Sequence, residues 1–231
     1  MICNHCNQEP SVDNCCQYCH ETEPTIATAL SRPKQGKMTF VVDVDRTGSS
    51  KAFQVGIPKT FKLIGEEIKK IVIDIDTYLI SHGDLDFGQE IVLHVDSGTI
   101  DETAEEIERI FYGGGGDIPE HHLDAIEFIT ETVPFDPRGH AAILTFITDE
   151  TKPCLSGKSA QELGAELQQR NIKLFLICQP TPTLTELVES ANGFIFPISN
   201  NPSTEEYEAI IQQLSTSMTA SIRSGSTIQA P

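Results

Sequence analysis

Long apolar runs are missing from this sequence. No stretch approaches the roughly 18 consecutive apolar residues that a membrane-spanning helix needs, and the first residues lack the charged-then-apolar pattern of a secretory signal. We therefore expect a soluble, cytoplasmic protein without a membrane partner. Hydrophobic residues make up 39% and charged residues 22% of the 231 residues, which is typical of folded chains. This length predicts one domain of ordinary size with a small appendage.

Positive charge is also scarce. The chain has 16 Lys and Arg against 34 Asp and Glu, for a formal net charge of -18. A field of this sign repels nucleic acid phosphates and anionic lipids, so neither is an expected partner. A bound cation or a basic protein surface fits the charge better, although surplus acidic residues also keep a protein soluble.

Cysteine is rare outside the N-terminus. Five of the 7 cysteines lie in the first nineteen residues, whereas Cys154 and Cys178 stand alone in the body of the chain. A disulfide framework would spread its cysteines along the chain. We predict that Cys154 and Cys178 are structural thiols, and that the N-terminal cysteines serve a local site.

Two CxxC pairs make up that N-terminal site. The ligands that these pairs provide are Cys3, Cys6, Cys16 and Cys19. Two facing turns of this kind aim four thiolates at one Zn²⁺ ion, at about 2.3 Å each. Alternative ligands at the same turns are Cys15, His5 and His20. The segment resembles the short zinc ribbons that open many bacterial proteins, which stabilise or dock a neighbouring domain.

Apolar strands and amphipathic segments alternate through the rest of the chain. This alternation predicts an α/β fold with a doubly wound, mostly parallel sheet and one antiparallel edge strand. The predicted strands are residues 39–44, 72–80, 90–95, 142–147, 173–178 and 193–197. The predicted helices are residues 52–71 with a break at Pro58, 103–111, 120–132, 159–169, 184–191 and 204–217. The predicted domains are a zinc ribbon (1–23), a linker (24–37), the α/β domain (38–218) and a flexible tail (219–231).

A carboxylate and two hydroxyls follow the first predicted strand of the body. Asp45, Thr47 and Ser49 come where this strand ends and a helix begins, which is where open α/β sheets bind ligands. A hard cation such as Mg²⁺ takes oxygen ligands. When few of its direct ligands are carboxylates, the ion stays electrophilic and can bind a carboxylate from a partner. These three residues therefore predict a divalent cation site.

The same residues resemble the metal-ion-dependent adhesion site of von Willebrand factor A (vWA) domains, whose first loop reads DxTxS. Residues 113–126 resemble the GGGDxPExxLxAI segment of the hemicentin-like branch of that family, and residues 144–149 resemble the strand that ends in the family's last metal-site aspartate. The three motifs occur in the family's order, and the resemblance covers residues 38–217. Ordered motifs of this kind are more specific than one alone.

The resemblance implies a vWA fold and a noncatalytic protein-interaction module. It implies a Mg²⁺ ion, or Mn²⁺ or Ca²⁺ in its place, that binds an acidic side chain of a protein partner. The metal-site residues it implies are Asp45, Thr47, Ser49, Asp117 and Asp149. One departure is Gly113, which stands where many members have a threonine ligand, and Asp117 is one candidate for that role.

Asp43 is the second departure and opens an alternative. The family usually has an apolar residue there, whereas Asp43-x-Asp45 also matches the first motif of haloacid dehalogenase-type phosphatases, with Asp43 as nucleophile and Asp45 as general acid and base. That family needs spaced acidic residues late in the chain, and Asp149 is the last aspartate here.

A further alternative is a metal-free structural scaffold. His121 and His122 are predicted to be surface residues rather than ligands.

Overall fold

In the computed structural model, residues 35–116, 118–148 and 150–224 are described. The strands are β1 (Gln35–Asp45), β2 (Val72–His82), β3 (Val92–Gly98), β4 (His140–Phe146), β5 (Ile172–Ile177) and β6 (Phe194–Phe196). The α-helices of these residues are α1 (Gly56–Lys69), α2 (Ile100–Arg109), α3 (His122–Thr132), α4 (Ala160–Gln169), α5 (Pro182–Ser190) and α6 (Thr204–Ser224). Short 3₁₀ helices span Ser49–Phe53 and Leu85–Phe87.

The strands form a 6-stranded sheet in the order β3-β2-β1-β4-β5-β6. Only β3 runs antiparallel to its neighbour, and the other neighbouring strands pair in parallel. The doubly wound, mostly parallel α/β sheet with one antiparallel edge strand is therefore confirmed. Because β1 lies between β2 and β4, the carboxyl ends of three strands meet at one edge.

Helices cover both faces of the sheet because each strand is apolar on both sides. Alternate residues of β1, such as Phe40 and Val42, pack with α1, α2 and α6. Val41 lies on the other face, where it packs with α3, α4 and α5. This arrangement buries β1 from Met38 to Asp45, so a polar residue in this part of the strand must find a partner inside the protein. No helix in the described ranges is long and apolar enough to cross a bilayer.

Several element boundaries differ from the predictions, and two of these differences have a clear physical reason. Pro58 causes no break, because it lies in the first turn of α1, where a missing N–H costs no helical hydrogen bond. Helix α6 runs to Ser224 rather than to residue 217. Its buried side chains recur every four residues, at Ile210, Leu214, Met218 and Ile222, so one apolar stripe continues through the Ser- and Thr-rich end.

Candidate functional site

The loop after β1 holds the carboxylate of Asp45 in one orientation. The backbone N–H of Thr47 donates to Asp45 Oδ1 at 2.9 Å, and the hydroxyl of Ser50 donates to Oδ2 at 2.6 Å. Asp45 is fully buried, so these bonds replace the water that an exposed carboxylate would keep. The loop is therefore organised around this one side chain.

Hydroxyl groups gather beside this carboxylate from two loops. Thr47 Oγ1 lies 2.9 Å from Ser49 Oγ, and Ser49 Oγ lies 3.0 Å from Thr148 Oγ1 in the loop after β4. Thr148 also donates to Asp45 Oδ2 at 3.2 Å. The structure thus brings Asp45, Thr47 and Ser49 together, and it adds Thr148, which the sequence analysis did not select. We call these four residues the hydroxyl cluster.

The glycine-rich segment lies directly against the first loop. Gly48 N–H donates to the carbonyl of Gly114 at 3.1 Å, and Gly113 N–H donates to the carbonyl of Arg46 at 3.0 Å. Gly113 therefore contributes a backbone contact at the position where the family often has a threonine side chain. Such close backbone pairing leaves little space for side chains, which explains why glycine recurs here.

Glu120 is an acidic residue near the cluster to which the sequence analysis gave no role. A methyl group added at Gly115 would lie 3.1 Å from Glu120 Oε1 and 3.4 Å from Thr47 Cβ. Glu120 is 2% exposed, and its N–H donates to the carbonyl of Glu150 in the loop after β4 at 2.9 Å. A buried carboxylate beside Thr47 is a further candidate oxygen ligand for a cation. The signal was in the sequence, as the acidic residue of the DxPE segment.

Asp43 and two histidines form a buried chain beneath the site. Asp43 Oδ1 lies 2.9 Å from His82 Nδ1, and His82 Nε2 lies 2.7 Å from His122 Nδ1. Asp43 and His82 are fully buried and His122 nearly so. A nucleophile must reach its substrate, so this placement of Asp43 gives no support to the phosphatase alternative. The surface prediction for His121 and His122 is wrong, because α3 packs its first turn against β2.

These histidines affect the charge of the site. Burial alone would raise the pKa of Asp45, but His122, His82 and the hydrogen bonds from Ser50 and Thr47 hold that pKa below its usual value. Burial would likewise lower the pKa of His82, but Asp43 raises it by charge and hydrogen bonding, with Asp45 and Glu120 adding to the effect. Asp45 is therefore kept as a carboxylate, the form that binds a cation.

A second group of possible metal ligands lies nearby. Asp84, Asp86 and His121 each offer one ligand atom, and these atoms lie within 4.8 Å of one another, so the group could hold a metal ion. Lys152 already lies there, because its Nζ is 3.0 Å from Asp84 Oδ1 and 2.7 Å from Asp86 Oδ2. The ammonium group supplies the positive charge that a metal ion would otherwise bring.

Several predicted site residues lie outside the described part of the chain. They are Cys3, Cys6, Cys16, Cys19, Asp117 and Asp149. Their roles remain predictions.

In the described part, Cys154 and Cys178 are buried free thiols. Burial raises the pKa of Cys154 to about 11 and that of Cys178 to about 12, as expected of structural cysteines.

Comparisons with known proteins identify the fold. No family model matches the sequence, and no curated protein matches it. Among solved structures, the crystal structure of the SpRpn10 VWA domain superposes with a TM-score of 0.54 at 10% sequence identity, covering 76% of this chain and 94% of that chain. At a sequence identity this low, the structural similarity shows a shared fold but not a shared function. Residues 35–224 thus adopt the fold of a vWA domain, with the hydroxyl cluster at the carboxyl edge of its sheet.

Proposed function

We propose that this chain is a noncatalytic interaction module that holds a Mg²⁺-type divalent cation and uses it to bind an acidic side chain of a protein partner. The observation that carries the proposal is the hydroxyl cluster, in which the hydroxyls of Thr47, Ser49 and Thr148 form a hydrogen-bonded chain that ends at the buried Asp45 carboxylate. The proposed ligands beyond the cluster are Glu120, Asp117 and Asp149. Mn²⁺ and Ca²⁺ are the expected substitutes for Mg²⁺.

The donor atoms fit a hard cation. Hydroxyl and carboxylate oxygens are the ligands that Mg²⁺ and Ca²⁺ prefer, whereas a soft ion would seek sulfur. Neutral hydroxyls add no negative charge, so each ligand position that a hydroxyl takes in place of a carboxylate leaves the ion more electrophilic. When bound, the ion would supply an electrophilic site for a carboxylate from outside the chain. The protein contributes the fixed arrangement of Thr47 and Ser49, which Asp45 maintains through its hydrogen bonds.

The group of Asp84, Asp86 and His121 is a weaker candidate cation position than the hydroxyl cluster. A divalent ion there would have to displace the Lys152 ammonium from two carboxylate contacts. Repulsion between the two cations would oppose simultaneous occupancy. We therefore assign the functional cation to the hydroxyl cluster and treat the contacts of Lys152 as a link between the loops after β2 and β4.

We further propose that Cys3, Cys6, Cys16 and Cys19 bind a structural Zn²⁺. Two CxxC pairs have the spacing of a zinc ribbon. In a short segment with few large apolar residues, metal binding supplies the folding free energy. The ribbon would provide a second contact for the partner.

Calorimetric titration of Mg²⁺ into the zinc-loaded full chain tests the cation site. We expect wild type to bind one ion per chain, and Asp45→Ala to lose the binding, because the hydroxyls then lose the carboxylate that orients them. Asp136→Ala is the matched control, since the hydrogen bonds and ion pair of Asp136 with described residues involve only the nearby Arg138 and Gly139. Equal binding by wild type and Asp45→Ala would place the ion elsewhere, and no binding by wild type would favour the metal-free scaffold.

A further inference from the structure

Two exposed aromatic rings border the glycine-rich segment. Phe111 is 80% exposed and Phe87 is 58% exposed. Among the phenylalanines of the described residues they are the two most exposed, whereas residues such as Phe40 and Phe53 are buried in the core. Scattered apolar side chains on a surface need no explanation, but a pair beside a candidate binding site does. We call Phe87 and Phe111 the aromatic rim.

Both rings lie against glycine backbone. A side chain at Gly116 would collide with the ring of Phe87, and a methyl group at Gly113 would lie 2.9 Å from Cε1 of Phe111. The rings therefore lie on bare backbone at the two ends of the segment that contacts Thr47 and Gly48. A ring supported in this way loses little conformational entropy when a partner covers it, which is the property of a binding anchor.

Two basic residues lie in the first loop of the hydroxyl cluster. The chain carries a formal charge of -18, yet Lys51, two residues after Ser49, is exposed and has no ion pair with a described residue. Arg46 is held at the same loop, where its Nη2 donates to the carbonyl of Glu90 at 2.9 Å. Asp84, Asp86 and Glu120 lie at the same edge of the sheet, so an incoming carboxylate needs the proposed cation as well as these basic residues to offset their negative charge.

These features together identify the kind of partner. We infer that the partner presents a carboxylate flanked by apolar side chains, with the carboxylate on the cation of the hydroxyl cluster and the apolar groups on Phe87 and Phe111. This inference rests on the proposed function, because it assigns the carboxylate to the proposed cation. It adds the requirement for apolar neighbours, which the cation alone does not impose. Aromatic anchors beside a charged contact are typical of interface hot spots.

Selection from a displayed random heptapeptide library tests the inference. The immobilised full chain, zinc-loaded and saturated with Mg²⁺, is the bait, and release with a chelator recovers the cation-dependent binders. We expect the recovered peptides to share an Asp or Glu with a large apolar residue next to it or one position away. Recovery of acidic peptides without that apolar preference would overturn the inference, and so would a failure to enrich any peptide.

The best recovered peptide, made synthetically, then probes the rim. Phe111→Ser and Phe87→Ser should each weaken its binding about tenfold, as loss of one interface anchor does, while the Mg²⁺ affinity stays at the wild-type value. Ile73→Ser is the matched control, because Ile73 is 69% exposed but lies near the start of β2, at the opposite edge of the sheet. Unchanged peptide affinity in both rim variants would overturn the role of the rim.

The outcomes separate the inference from the function on which it rests. If Mg²⁺ binding depends on Asp45 but peptide affinity does not depend on Phe87 or Phe111, the cation site is supported and the apolar requirement fails. If Mg²⁺ does not bind the hydroxyl cluster at all, both fail together. If the recovered peptides are apolar without a carboxylate, the rim binds a partner in a different way and the inference fails.

Discussion

Gly115 shows how closely the backbone approaches the candidate site. Its φ of +76° lies in the left-handed region, which only glycine adopts without strain. Its Cα also lies next to Glu120 Oε1 and the side chain of Thr47. Any side chain here would meet both groups at the point where we place the cation ligands. The glycine is therefore required by the backbone and by the site at once.

Alanine substitution separates these two requirements. Gly115→Ala and Gly157→Ala should each lower the free energy of unfolding by about 1–2 kcal/mol, because both glycines have positive φ. Only Gly115→Ala should also weaken Mg²⁺ binding, since a methyl group at Gly157 would meet no atom within 4 Å. Urea unfolding and Mg²⁺ titration of both variants are the measurements. An equal loss of Mg²⁺ affinity in the two variants would contradict the placement of the site.

The residues of the site differ in how far the sequence could predict them. Asp45, Thr47 and Ser49 occupy one short loop, so their spacing alone indicated a common ligand. Thr148 and Glu120 reach the same place only through the pairing of β1 with β4 and the contact of two distant loops. Such proximity is set by tertiary structure. The lone Thr148 carries no local signal for it, and Glu120 was marked only as the acidic residue of the DxPE segment.

At the scale of elements, apolar periodicity predicted the strands and helices well because each face of the sheet packs against helices. The ends were less predictable, as α6 illustrates, because Ser and Thr on its exposed side hid an apolar stripe that continues to Ile222. Helix starts have a clearer chemical signal. Helix α4 begins with a capping box, in which Ser159 accepts from Glu162 N–H at 3.2 Å and Glu162 accepts from Ser159 N–H at 2.8 Å.

Removing this cap tests its contribution to stability. Ser159→Ala should lower the free energy of unfolding by about 1 kcal/mol, because the first turn of α4 then loses a side-chain acceptor for its free N–H groups. Ser217→Ala in α6 is the control, because the Ser217 hydroxyl makes no side-chain hydrogen bond with a described residue. Chemical denaturation of both variants measures the difference. A Ser159→Ala variant as stable as the control would mean that tertiary packing alone sets the start of α4.

At the scale of the whole molecule, the sheet order explains why the site lies where it does. β1 is central, and the chain leaves it toward β2 on one side and returns to β4 on the other. The loops after β1 and β4 and the glycine-rich segment therefore meet at the carboxyl edge, as in other open α/β sheets. The alternation of elements predicted this class of sheet, whereas the order of its strands is known from the structure alone.

The N-terminal segment adds a prediction about the complete chain. Elemental analysis of the purified protein should find about one zinc per chain, as expected for a single four-cysteine site. Cys3→Ser should lower this content severalfold, because a three-sulfur site holds the ion less tightly. Cys178→Ser is the control, since Cys178 is a buried free thiol that directly follows β5 in the α/β domain. Zinc-free wild-type protein, purified without chelator, would rule out the ribbon.

The central claim is that Thr47 and its neighbours hold a divalent cation, and electron spin resonance of Mn²⁺ tests it most directly. Binding broadens and attenuates the free Mn²⁺ signal, so titration counts the occupied sites. We predict one site in wild type and in Asp86→Asn, which changes only the exposed member of the group around Lys152. We predict at least a tenfold weaker site in Thr47→Val, which keeps the shape of the side chain but removes its hydroxyl. Full affinity in Thr47→Val, with loss in Asp86→Asn, would contradict the account.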